Sequence, residues 1–271
     1  MKKVSSDDKL RLVGFNNLTK ALSFNLYDFC TASTSKERES YIKYINEKYN
    51  AAKITKVLTG VCDIIEAKVL NVSDQDYDPW GASSLVLMSD LKGEDSTSKM
   101  MSSLIEGAAE LKNSSRAMHL DKSHICAHTY PDFLHNGSIC SVRVDIDIAT
   151  CGEISPLNAL NFMFDQFESD VVVIDYVVRG FTRDESGKRI YIDHPLQSIQ
   201  DYIRPDILND YYCLDLSLQR DLIWQTKMLR TKINEQDYFL GDADLKDPEI
   251  RSRLDDVKRE MRGVLHMFPE N

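Results

Sequence analysis

The clearest periodicity in the chain lies in CSVRVDIDIA, where Val142, Val144, Ile146 and Ile148 alternate with Ser141, Arg143, Asp145 and Asp147. A period of two predicts a strand with one face on a core and the other in polar surroundings. The stretch from Lys20 to Cys30 and the runs AKVLNV (67–72), SSLVLMS (83–89), SHICAHTY (123–130) and DVVVIDYVVRGFTR (170–183) also read as strands. Helical spacing appears in SKERESYIKYINEKYN (35–50), with Ser35 as a candidate cap, and in ITKVLTGVCDIIEA (54–67). Ser155 followed by Pro156 predicts a capped helix start with proline at its first position, running to about Phe167. The tail DPEIRSRLDDVKREMRGVLHM predicts an amphipathic helix laced with opposite charges. Lys92 to Ala117, rich in Ser, Lys, Glu and Gly, reads as a surface insertion with one short helix around SSLIEGAAEL. Strands joined by short turns and flanked by paired helices predict one α/β domain. It is a two-layer sandwich with a mainly antiparallel sheet and helices packed on one face.

Composition narrows the function classes. The 271 residues carry 33 Lys and Arg against 43 Asp and Glu, a formal charge of −10, which argues against a general nucleic-acid binder. A cationic or zwitterionic small molecule suits that balance better. The start, MKKVSSDDKLRLV, lacks the apolar stretch of a signal peptide and no later run approaches a membrane span, so a cytoplasmic location without membrane attachment is expected. The six cysteines are scattered, and in a reducing compartment they are expected as free thiols.

The segment HLDKSHICAHTYPD (119–132) carries the chemistry. A serine hydroxyl can attack the carbonyl carbon of its own preceding peptide, and elimination of the resulting ester leaves a new amino terminus bearing a ketone, a pyruvoyl group. DKSHICAHTYP is preceded by YDPWGAS (77–83) and followed by ATCGEISPLNAL (149–160), and these three blocks in this order resemble the S-adenosylmethionine decarboxylase proenzymes, in particular the larger, Escherichia-like bacterial type. GFNNLTKALSF (14–24), ESDVVVIDYVVRGFTRD (168–184) and IDHPLQSIQ (192–200) are similar as well, so the resemblance covers most of Gly14 to Gln200.

The resemblance implies a self-cleaving enzyme that decarboxylates S-adenosylmethionine to an aminopropyl donor for spermidine synthesis. Cleavage between Lys122 and Ser123 would give a β chain of Met1 to Lys122 and an α chain of Ser123 to Asn271. Ser123 would become the covalent pyruvoyl group that forms a Schiff base with the substrate and acts as an electron sink. His128 matches the histidine that abstracts the serine α-proton during processing, and Ser83 matches the serine that assists it. Cys151 matches the proton donor that quenches the decarboxylated carbanion. It lies between a strand and a helix start whose dipole could tune its acidity. Tyr77 and Phe15 align with the aromatics that stack adenine. Asp132 stands where the family has Glu, one methylene shorter, at a position read as contacting ribose. The bacterial subgroup is activated by Mg2+, and no pattern here identifies ligands for it.

Ser123 and His128 are five residues apart. In a continuous strand their side chains point to opposite faces and their Cα atoms lie roughly 16 Å apart. Either a bulge or turn folds the segment back, or the histidine comes from a second copy across a two-fold axis. The second agrees with the homodimer that the resemblance implies, a larger sandwich in which Ser123 and Cys151 of one copy meet Ser83, His128 and Tyr77 of the other. Two other readings stay open. A pyruvoyl enzyme with an altered pocket could act on arginine or ornithine. Alternatively His124, Cys126 and His128, on alternate positions of one strand with His119 nearby, could hold a metal.

Overall fold

The structure, a computed structural model, describes residues 12–90, 123–133, 138–167, 169–184 and 186–266. The expected insertion at 92–117 with its short helix, and the residue Lys122, lie outside the described residues. The chain runs β1 (Leu12–Asn16), β2 (Thr19–Thr31), α1 (Ser35–Lys48), α2 (Ala51–Ile64), β3 (Ala67–Asp76), β4 (Ala82–Asp90), β5 (His124–Phe133) and β6 (Ile139–Cys151). After a 3₁₀ turn (Pro156–Ala159) come α3 (Leu160–Gln166), β7 (Val171–Arg179), β8 (Thr182–Asp184) and β9 (Arg189–Ile190). The last elements are α4 (Pro205–Leu208), β10 (Tyr211–Leu218), β11 (Ile223–Arg230) and α5 (Pro248–His266).

Eight strands form one sheet in the order β10-β11-β7-β2-β6-β5-β4-β3, and every neighbouring pair is antiparallel. A small sheet of β1, β8 and β9 stands apart from it. The mainly antiparallel α/β sandwich expected from the pattern is therefore present. Alternation builds it: Leu22, Phe24 and Leu26 of β2 and Val142, Val144, Ile146 and Ile148 of β6 are buried on one face. Against that face pack Tyr41 and Ile45 of α1, Ile54, Leu58 and Val61 of α2, and Leu160 and Met163 of α3, in one continuous core. The other face carries the polar members of the same alternation, among them Ser23, Asn25, Asp145 and His128, which are half-buried. Toward one end of this second face α5 sets Leu254, Val257 and Met261 against Phe29 and Val171, a smaller apolar cluster.

Local chemistry explains the boundaries. The cap of α1 is Thr34 rather than Ser35: its side chain accepts from the Glu37 amide while Glu37 reaches back to the Thr34 amide. That reciprocal arrangement satisfies two otherwise unpaired donors, which Ser35 could not do from inside the helix. Asn50 caps α2 through the Lys53 amide. The helix expected to start at Ser155 opens instead as the 3₁₀ turn, and Ser155 makes no side-chain cap bond. The long strand read through Arg183 is divided at Gly180 into β7 and β8.

Asp170 is buried where β2 and β7 meet, accepting hydrogen bonds from the Phe29 amide (2.9 Å) and the Tyr238 hydroxyl (2.8 Å). Burial, reinforced by the charge on Asp28, raises its carboxyl from 3.8 to about 7. A carboxyl that keeps its proton in the native state and loses it in the unfolded chain makes stability fall as pH rises between the two values. The fall runs here from about pH 4 to about pH 7. Asp170→Asn cannot ionise. Its melting temperature, followed by circular dichroism, should therefore gain on that of the parent as pH rises through this window, and a constant difference would count against the assignment.

Candidate active site

Two groups of residues emerge from the strand ladders. The first lies where β5 begins. Ser123, one residue ahead of the strand, is 2% exposed, its carbonyl accepts from the Met88 amide (3.2 Å), and its Oγ is 3.3 Å from Cys151 Sγ. The contact follows from register, since His124 pairs with Ala149 and brings the start of β5 beside the end of β6. Cys151 closes β6, and Gly152 turns the chain with φ of +72°, a conformation open to glycine at little cost. The Gly152 amide donates to the Leu18 carbonyl (3.2 Å), while its own carbonyl accepts from Lys20 Nζ (2.9 Å). The helix start suggested beside Cys151 is not adjacent: the 3₁₀ turn intervenes and α3 begins only at Leu160, beyond the reach of a first-turn dipole.

The second group lies farther along β5 on the polar face. Ser83 of β4 pairs directly with His128, which pairs on its other side with Asp145 of β6. Gln75 of β3 faces Ser83, so one row of cross-strand neighbours reads Gln75, Ser83, His128, Asp145. A hollow of about 310 Å³ opens here, lined in part by Asp74, Gln75, Ser83, Cys126 and His128. Burial raises the Asp145 carboxyl, although Arg143, 3.0 Å away, works against it. Tyr77 is 42% exposed in the turn between β3 and β4, and its amide donates to the Gly81 carbonyl. Asp132 is exposed near the end of β5 on the His128 face. Phe15 falls in β1, where no side chain is described.

β5 pairs without a register shift with β4 on one side and β6 on the other. No bulge folds His128 back to Ser123, and a span of roughly 16 Å along the strand remains between them. The chain thus assembles Ser123 with Cys151, and Ser83 with His128, but does not bring the two pairs together.

Sequence reading missed three features. Asp145 as neighbour of His128 had a signal, since DID places two carboxylates on one strand face. The guanidinium of Arg143 lies 4.4 Å from the centre of the Tyr130 ring, on the same polar face, and both side chains also show in the alternation. The Lys20–Asp193 ion pair (2.7 Å) had half a signal: Lys20 stands in the apolar register of Leu22, Phe24 and Leu26, but nothing in sequence pairs it with a residue so distant.

A metal on the His124, Cys126 and His128 face is not supported. Among the described residues no group of three or more His, Cys, Asp or Glu side chains could hold a metal. All six cysteines are free. No helix among the described residues is long and apolar enough to cross a membrane.

The family model for S-adenosylmethionine decarboxylase matches residues 44–180. The chain is 45% identical over 264 residues to the S-adenosylmethionine decarboxylase proenzyme of Clostridium beijerinckii, covering 97% of this chain and 96% of that protein. It is 46% identical over 260 residues to the proenzyme of that name from Pseudomonas syringae pv. syringae, covering 95% and 97%. The solved adenosylmethionine decarboxylase of Aquifex aeolicus aligns with 68% of this chain and all of its own, at 16% identity and a TM-score of 0.33, too slight a likeness to bear on the fold. The sequence matches define a pyruvoyl-dependent decarboxylase, a lyase. The chain belongs to the S-adenosylmethionine decarboxylase family. This places the arginine and ornithine readings behind S-adenosylmethionine.

Gly81 holds the Tyr77 turn with φ of +97°, and a Cβ there would stand 3.3 Å from the Thr129 carbonyl. Gly81→Ala should destabilise the protein by about 1–2 kcal/mol. Chemical denaturation measures the effect, and a variant as stable as the parent would contradict the strained turn.

Proposed function

We propose that the chain is a proenzyme that cleaves itself between Lys122 and Ser123 and then decarboxylates S-adenosylmethionine through the group formed from Ser123. The observation that carries this reading is the 3.3 Å contact of the buried Ser123 Oγ with Cys151 Sγ at the start of β5. In processing, the hydroxyl attacks the Lys122 carbonyl carbon, the peptide C–N bond breaks, and an ester links the two chains. His128 then takes the Ser123 α-proton and the ester C–O bond breaks to leave a carboxylate on Lys122; water adds at the carbon that carries the nitrogen, so that a ketone remains and the nitrogen leaves as ammonia. In this reading Ser83, directly opposite His128, assists the histidine in processing.

The residues present fit such a prosthetic group. Its carbonyl side is gripped by the Met88 amide and a thiol stands within reach. When formed, a pyruvoyl group supplies a ketone that takes up the electron pair left as carbon dioxide departs. Cys151 then delivers the proton to the substrate carbon. Tyr77 offers a π face to adenine, with Phe15 as the second platform, and Asp132 reaches for the ribose. The acidic balance of the chain favours a sulfonium cation. A magnesium activator belongs to this reading without assigned ligands.

Because β5 is unbroken, His128 serves the Ser123 of a second copy, with two polar sheet faces apposed in a homodimer and each site shared across the two-fold axis. Intact mass spectrometry should find two pieces of about 14 and 17 kDa, dividing 31.0 kDa by chain length, the larger with a blocked keto terminus. Active protein that stays in one piece would end the proposal. Ser123→Ala and His128→Ala chains should each stay uncleaved alone. Mixed, the His128→Ala chain should be cut by the other's histidine, and if it stays intact the shared site is wrong.

A further inference from the structure

We propose that Lys20, held by Asp193, is a positioning residue that aims the Cys151 thiol and so decides which carbon is protonated after decarboxylation. The inference rests on Cys151 as the proton donor. Lys20 is 1% exposed, an ammonium on the apolar face of β2. Placing a cation there is costly unless its partners are close and well aligned. It has them: Asp193 Oδ2 at 2.7 Å and the Gly152 carbonyl at 2.9 Å. Burial works to raise the Asp193 carboxyl, but hydrogen bonds from His194 and Lys20 outweigh it and hold it below the usual carboxylate range, so the pair is ionic. The other Asp193 oxygen meets His194 Nδ1 at 2.7 Å, and His194 Nε2 meets the Tyr176 hydroxyl of β7 at 3.2 Å.

Gly152 follows Cys151 directly. Its amide is fixed by Leu18 and its carbonyl by Lys20, so both polar groups of the residue that follows Cys151, itself the last residue of β6 and paired with Thr19, are tied to β2 or its approach. The Gly152 backbone needs this, because glycine costs more conformational entropy to order than any other residue. The ion pair therefore gives the turn a rigidity that its sequence lacks.

Aim matters because the electron pair left by carbon dioxide is shared between two carbons. A proton placed on the substrate carbon, followed by hydrolysis, releases the amine product and restores the ketone. A proton placed on the group's own carbon, followed by addition of one water, releases the substrate as an aldehyde and leaves the amine on the protein. The protein's carbon then holds the electron pair the substrate has lost, and the α chain begins with alanine, inactive. Amino-terminal sequencing reads that alanine and is blind to a keto terminus.

The test compares the parent with the double variant Lys20→Met, Asp193→Asn, which removes both buried charges together and leaves neither unpaired. After self-cleavage and a fixed number of turnovers of S-adenosylmethionine, alanine termini per turnover should rise about tenfold, as small misplacements of reacting groups do. General loss of stability lowers the rate but does not move this partition. A parent-like partition overturns the inference. Cys151→Ser separates the two levels. If it too leaves the partition unchanged, the donor reading of Cys151 falls, whereas a Cys151-sensitive and Lys20-insensitive partition defeats only the positioning role. A second measurement needs neither cleavage nor turnover. In a Ser123→Ala background, iodoacetamide labelling of Cys151, mapped by mass against Cys126 and Cys213 as internal references, should quicken several-fold in the double variant, and an unchanged rate overturns the inference.

Discussion

The rest of the structure depends on the double ladder around β5. Hydrogen-bonded to β4 and β6 without a shift, this strand cannot slide or fold, because a slip of one residue would turn Ile125 and Ala127 to the polar face and His124, Cys126 and His128 into the core. The ladder sets Ser123 beside Cys151 at one end and Ser83 against His128 farther on. It also keeps the two pairs apart. A rigid strand fixes each pair of residues in place and, within one chain, holds the two pairs apart.

The buried polar groups show how the molecule handles charge inside an otherwise apolar sandwich. Lys20 is neutralised by Asp193, with the remaining oxygen taken by His194, whereas at Asp170 burial and the neighbouring Asp28 charge outweigh two hydrogen-bond donors and the pull of Arg230, and it keeps its proton toward neutral pH. Breaking one partner of a buried pair leaves an uncompensated charge, typically about 3–5 kcal/mol, while removing both together can be nearly neutral. An ion pair kept under those terms contributes less to stability than to geometry, and here the geometry it fixes is the turn that presents Cys151.

Much of the fold was legible in the chain. The alternation of β2 and β6 and the helical spacing of α1, α2 and α5 each reflect a periodicity enforced by which side of an element meets the core. Boundaries were less legible: Thr34 rather than Ser35 caps α1, and the Ser155 start is a 3₁₀ turn, because the cap that forms depends on which amide the side chain reaches once the flanking chain is in place. The hairpin of β10 and β11 went unread, its strands mixing exposed apolar residues such as Leu216 and Leu218 with polar ones and so blurring the period.

By itself the sequence determined most of the elements, the family and the serine, histidine and cysteine types, since those follow from local periodicity and from residues contiguous in short blocks. Only the tertiary structure decided that Ser123 meets Cys151, that Asp145 flanks His128, and that Lys20 finds Asp193. Such pairings depend on strand order and register, which arise from the simultaneous burial of many side chains, and no stretch of chain a dozen residues long carries that information.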